Sequence, residues 1–215
     1  MATVEEIIAR YPLLFHAAER DSWPSIQRHG LLSTSALLDL FQVSGPERQA
    51  IESEWRPESV PIQHPLHGVA VIRDQGPIKP KNLAPLLEGA APSEWYKLLN
   101  SKCFLWATKE RLCGFLNAKS YRNNVHDVLT VSTRDLFERH SERIFLTSFN
   151  TGAIGRARRR RCFNAFQSIK DFPLENRPKK VVEVAVDYHV PDIAQFTLSV
   201  EQWKGEAFQQ TVWQR

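Results

Sequence analysis

The stretch Lys180-Val181-Val182-Glu183-Val184-Ala185-Val186, followed at once by Asp187-Tyr188-His189-Val190-Pro191-Asp192-Ile193, sets the reading of the whole chain. Its valines favour a pleated, half-buried surface, and a single carboxylate stands among them. Burying a charged group without partners is costly, so Glu183 is expected to be paired, exposed at a cleft mouth, or shifted in pKa for chemistry. The plain alternative is a strand with one wet face, Val182, Val184 and Val186 pointing inward and Val181, Glu183 and Ala185 outward. Other segments have to decide between the two.

A chain of 215 residues is long enough for one well-covered core, and a single domain over residues 1–215 is expected. Hydrophobic content of 42% and charged content of 24% suit a globular protein, and no apolar run reaches bilayer length, so no membrane partner is expected. The opening Met1-Ala2-Thr3-Val4-Glu5-Glu6 is acidic where a secretory signal is basic and then apolar, which argues against export. Cys103, Cys113 and Cys162 are odd in number and lack a CxxC spacing, as suits reduced thiols in a cytoplasmic protein. His64 and His67 lie close together, but nothing completes a zinc set, so no metal is expected. The net charge of +4 decides little; its distribution says more. Arg156, Arg158, Arg159, Arg160 and Arg161 place five guanidiniums within six residues, either as a solvated loop or as a contact for nucleic acid phosphates.

In chain order, Thr3 and Glu6 form a capping box before a short helix ending near Pro12, and Leu13 to Ala18 reads as a strand containing His16. Asp21 or Ser22 caps a helix with Pro24 in its first turn and Gly30 past its end. Ser33 to Ser35 caps a helix through Phe41, and Ser44 with Glu47 makes a capping box for one through about Trp55. Arg56 to Leu66 reads as a connection, Gly68 to Arg73 as a strand, and the prolines of residues 76–92 allow only short helical turns. Ser93 caps Glu94 to Asn100, Lys102 to Ala107 is an aromatic-rich strand, and Thr108 caps a helix from Lys109 to about Ser120. His126 to Ser132 and Ile144 to Phe149 are further strands, separated by a helix that Thr133 caps. The arginine run and Phe163 to Phe172 form a long excursion, and Phe196 to Trp203 is the last strand. Short strands and helices interleave irregularly, which favours an α+β domain with a split or two-layer sheet. No Gly-x-Gly-x-x-Gly or Walker loop follows a strand, which removes the usual dinucleotide and nucleotide folds.

Leu14-Phe15-His16-Ala17-Ala18, then Trp23-Pro24-Ser25-Ile26 and Gly30-Leu31, resembles the opening motif of DarT-type ADP-ribosyltransferases and their uncharacterised bacterial relatives. Val182-Glu183-Val184-Ala185-Val186 running into Val190-Pro191-Asp192-Ile193 resembles the Glu-bearing strand of the same group. Arg73-Asp74-Gln75-Gly76-Pro77, Lys102 to Trp106 with Arg111-Leu112, and Asn150-Thr151-Gly152-Ala153 fall between these two ends in a similar order. The resemblance implies an ADP-ribosyltransferase-like split β-sheet core with peripheral helices, and NAD as a substrate. It also implies a nucleic acid or nucleobase as acceptor, in a toxin or phage-defence setting, with an antitoxin or a hydrolase as partner.

Under that resemblance Glu183 is the catalytic carboxylate, and Arg111 joins it. Glycosidic cleavage passes through an oxocarbenium-like ribosyl cation, which a nearby carboxylate stabilises while it accepts a proton. His16 would hydrogen-bond a ribose hydroxyl or the nicotinamide pocket, with Ala17, Trp23 and Asn150 beside the NAD. Phe104, Trp106 and Tyr121 would offer flat walls to nicotinamide, and Arg111 or Arg156 would pair with the pyrophosphate, leaving Arg73 a structural part. Arg156 and Arg158 to Arg161, with Phe163 and Phe166, would track a nucleic acid. Val181 stands where protein-arginine transferases carry a second Gln or Glu, which disfavours arginine as acceptor; Ala17 stands where many poly-ADP-ribose polymerases have Gly. Two other readings stay open. An RNA 2′-phosphotransferase would want more cationic ligands than Arg20, Arg28 and His29, and a non-catalytic module would use the arginine run to hold nucleic acid.

Overall fold

The computed structural model describes residues 3–173 and 180–215. Among the described residues the strands in chain order are β1 (Leu13–Glu19), β2 (Leu31–Leu32), β3 (Val60–His64), β4 (Gly68–Ile72), β5 (Lys102–Trp106) and β6 (Val125–Ser132). They continue with β7 (Ile144–Thr147), β8 (Gln167–Ser168), β9 (Glu183–Asp187), β10 (His189–Val190), β11 (Thr197–Lys204) and β12 (Ala207–Gln214). Eight of them form one sheet in the order β12-β11-β6-β1-β5-β9-β7-β8, antiparallel throughout. β3 with β4, and β10 with β2, form two small separate sheets. The protein is a single α+β domain built on this large antiparallel sheet.

The sheet has a weak seam. β1 and β6 pair continuously from Leu13 opposite Ser132 to Glu19 opposite His126, and β5 and β9 from Lys102 opposite Asp187 to Trp106 opposite Glu183. Between β1 and β5 only Phe15 opposite Trp106 is paired. The sheet therefore consists of two well-laddered halves that part beyond that point. His16 Nδ1 lies 2.8 Å from the Phe104 carbonyl, so a side chain supplies a bond across the seam where the backbone ladder lapses.

Strand β9 lies inside the sheet with apolar layers on both faces. Val184 and Val186 pack with Leu105, Leu129, Phe137 and Ile193, under helices Trp23–His29, Thr133–His140 and Ile193–Phe196. Ala185 faces the opposite cluster of Ile78, Leu83, Trp95, Tyr96 and Phe166. The wet-face alternative is thereby overturned, since Val181, Glu183 and Ala185 are 0%, 4% and 0% exposed. A strand covered on both faces reads as a continuous apolar run, which explains why its periodicity is mute. Fully burying each valine contributes on the order of 1.5–3 kcal/mol, enough together to offset one buried carboxylate.

Several elements differ from expectation. Val60–His64 is a strand rather than a connection, pairing with Gly68–Ile72 so that Ile62 is buried while Pro61 faces outward, where its missing N–H costs nothing. A final strand, Ala207–Gln214, returns along β11 after a turn at Gly205, and its exposed, uncharged face gives no periodic apolar signal. Ser44 makes no side-chain cap, and the helix Pro92–Asn100 starts one residue before the expected cap Ser93. The helix after β5 stops at Leu116, and Ser132, not Thr133, caps the next one. Gly30 has φ +82°, and a Cβ there would sit 2.6 Å from Pro191 Cα. Only glycine lets the end of helix Trp23–His29 close onto β10.

Candidate active site

A cavity of about 940 Å³ opens along the seam. β1 brings His16 and Ala17 to it, β5 brings Phe104 and Trp106, and the first turn of helix Lys109–Leu116 brings Arg111. Tyr121, Asn150, Thr151 and Glu183 complete the part of the lining that the sequence groups together or that touches that group.

Glu183 heads β9 opposite Trp106 on one side and Thr147 on the other. Its Oε2 accepts from the Thr151 N–H at 3.0 Å, the Thr151 hydroxyl at 2.8 Å and the Thr147 hydroxyl at 3.1 Å. Oε1 accepts from none of the described residues and is not among the fully enclosed unpaired atoms, so it faces the cavity. Burial raises the pKa to about 7, against the pull of the Thr151 and Thr147 hydrogen bonds and the Arg111 charge. A carboxyl poised near neutrality can take or give a proton at physiological pH.

His16 is held in one tautomer. The Phe104 carbonyl only accepts, so Nδ1 carries the hydrogen and Nε2 keeps a lone pair with no partner among the described residues. Burial lowers its pKa to about 4; the bond to Phe104 pushes the other way, and the Arg73 charge adds to the lowering. The ring is neutral at pH 7 and offers the cavity an acceptor. Arg111, partly buried, has no carboxylate or carbonyl partner for its guanidinium among the described residues.

Other expected contacts are placed elsewhere or already engaged. Trp23 does not line the cavity: it is 2% exposed and packs in the core with its ring 5.2 Å from that of Trp213. Tyr121 lines the cavity, but its hydroxyl donates to Asp74 at 2.8 Å and its ring packs 4.5 Å from Phe115 with Arg73 above it. It is wall rather than open stacking face. The arginine run divides. Arg161 is 1% exposed, donates to the Arg159 and Ala153 carbonyls at 2.8 and 2.7 Å, and covers the Phe149 ring. A guanidinium so enclosed ties the loop to the cavity wall and cannot grip a phosphate. Arg160 pairs with Glu88 at 2.7 Å, while Arg156, Arg158 and Arg159 are exposed. Phe163 is exposed near them and Phe166 is buried.

Sequence reasoning misses Thr147 and Thr151 as Glu183's donors, because each stands more than thirty residues away in the chain and Thr151 belongs to what reads as a closing turn. Arg73 takes the structural part expected of it. That side chain lines the cavity, donates to Glu19 at 3.1 Å and the Ala17 carbonyl at 3.1 Å, and lies over Phe115. Its structural part is thus to brace the strand that carries His16. Among the described residues no His, Cys, Asp and Glu cluster is placed to hold a metal, and no helix is long and apolar enough to cross a membrane.

No curated protein and no solved structure matches the chain. A family model does match, over residues 12–197, a span that contains every side chain placed here at the cavity. The chain belongs to the DUF7002 family, a family of unknown function.

Proposed function

We propose that the protein is an NAD-dependent ADP-ribosyltransferase of the DarT-like kind, on an ADP-ribosyltransferase-like split sheet, with a nucleic acid or nucleobase as acceptor. The observation that carries this reading is Glu183. It is a carboxyl buried in a cavity, raised to about 7, anchored at one oxygen and open at the other. The seam between β1 and β5 supports the split-sheet part of the reading.

The reaction breaks the N-glycosidic bond of NAD, whose electron pair leaves on nicotinamide, and joins ribose C1′ to an acceptor nucleophile that gives up a proton. Glu183 supplies negative charge beside that carbon and receives the proton on Oε1. His16 accepts a ribose hydroxyl hydrogen at Nε2, Arg111 holds the pyrophosphate, and Phe104 and Trp106 flank the nicotinamide. Ala17 and Asn150 fill the wall around them. Arg156, Arg158 and Arg159 stand on the loop that begins at Thr151, so a polyanion held there lies beside the reacting carboxylate.

The phosphotransferase alternative wants several free cations around the cavity. Of the lysines and arginines that line the cavity among the described residues, Arg73 is engaged by Glu19, Arg56 by backbone carbonyls and Asn100, Lys102 by Asp187 and Arg20 by Asp21, which leaves Arg111 without such a partner. The distinguishing experiment is nicotinamide release from NAD with DNA, RNA and protein acceptors, comparing the protein with Glu183→Gln. Release that depends on Glu183 supports the transferase; no release with any acceptor sinks it.

A further inference from the structure

Three donors converge on one oxygen of Glu183 and none on the other. Thr147 and Thr151 are 0% and 1% exposed, so their hydroxyls need partners inside the protein, and both find Oε2. The Thr151 backbone N–H adds a donor that no side-chain substitution removes. Thr147 is divided: its single hydroxyl hydrogen has two acceptors in reach, Oε2 at 3.1 Å and the Phe149 carbonyl at 2.9 Å. Donors aimed at an oxygen favour negative charge there and disfavour a proton. When Glu183 takes a proton, it therefore takes it on Oε1, the side of the cavity. The Thr147 hydroxyl can then turn to Phe149 without leaving a buried donor unpaired.

We propose that Thr151 and Thr147 are positioning residues for Glu183: they fix Oε2 as the charged oxygen and so assign proton transfer to Oε1. This rests on the reading of Glu183 as the reacting carboxylate. The charged groups that act on Glu183 from neighbouring elements are Arg111, on helix Lys109–Leu116, and Arg161, at the end of the arginine loop. Neither donates to Oε2, so the two hydroxyls can be changed while both cations remain.

The test has a readout that does not need turnover. The Glu183 carboxyl is titrated by isotope-edited infrared or carbon NMR, with Glu183→Gln identifying its signal, in wild type, Thr151→Val, Thr151→Ser and Thr147→Val. Thr151→Val should raise the midpoint by about one to two pH units, since it removes a hydrogen bond made to the charged form. Thr151→Ser should return it toward wild type, and Thr147→Val should raise it less, because that hydroxyl is shared with Phe149. If NAD is turned over, Thr151→Val should lower kcat with little change in KM and move the pH profile by the same amount. Valine variants that titrate like wild type, or a serine variant that shifts as far as valine, would overturn the assignment. Should Thr151→Val not fold, a raised midpoint in Thr147→Val with a wild-type midpoint in Thr151→Ser supports the assignment, and an unchanged midpoint in Thr147→Val or a raised one in Thr151→Ser overturns it. Absence of nicotinamide release from wild type counts against the transferase and is read separately from these midpoints.

Discussion

The wall that carries Glu183 and the loop Arg156–Arg161 adjoin each other, and they hold charge in opposite ways. At Glu183 one carboxyl is buried among apolar side chains and tied by three donors to a single oxygen. Along the loop five like charges meet different fates within six residues: one is entombed, one is paired with Glu88, and Arg156, Arg158 and Arg159 face solvent. A lone charge in an apolar strand must be solved locally, so its environment is specified in detail. A run of like charges has no such requirement, and each member takes whatever partner the fold supplies. Isolation, more than density, marks a charged side chain whose surroundings are built for it.

The largest expected effect sharpens the Glu183 side of this comparison. Glu183→Gln keeps the shape and the Thr151 donors but removes the base, and should lower transferase turnover about a thousandfold, read as nicotinamide release. The same variant should change stability with pH. Because the folded pKa of Glu183 lies above its ordinary value, ionising it opposes folding, and the penalty grows as pH rises from about 4.5 to about 7. Urea denaturation at pH 8 should find Glu183→Gln more stable by about 3 kcal/mol, with the gain gone near pH 4. His16 works in the other direction: its folded pKa is depressed, so wild type should lose stability as pH falls from about 6.5 to about 4, and His16→Gln should not show that loss.

Within the loop the split can be broken directly. Arg161→Ala removes two partly buried hydrogen bonds and the cover of Phe149, and should cost about 2–3 kcal/mol in urea denaturation, against less than about 0.5 for Arg156→Ala. Equal costs would erase the distinction between entombed and solvated arginines. The smallest effect concerns binding. Changing Arg156, Arg158 and Arg159 to Ala should weaken single-stranded nucleic acid binding and flatten its salt dependence by about 0.7 per lost phosphate contact.

Much of the fold was legible because caps and apolar runs are local signals. Thr3 with Glu6, Ser33 and Thr108 all cap where their spacing indicates. The hairpin Val60–Ile72 and the last strand were less so: Pro61 discourages a strand unless it sits on an outward face, and Ala207–Gln214 buries almost nothing. At the cavity, His16, Phe104, Trp106, Arg111, Asn150 and Glu183 come together from well-separated segments. Trp23 and Arg161 go into the interior instead, the indole packed beside Trp213 and the guanidinium over Phe149. The hydroxyls that hold Glu183 were hidden, since a threonine carries no sequence mark of which distant carboxylate it will meet.

The transferase reading depends on Glu183 being a base poised in the cavity. The most direct measurement is nicotinamide release from NAD by the wild-type protein and by Glu183→Gln, across DNA, RNA and protein acceptors. Release with a nucleic acid acceptor is expected from the wild type and its loss in the variant; equal release from both proteins would rule out Glu183 as the base.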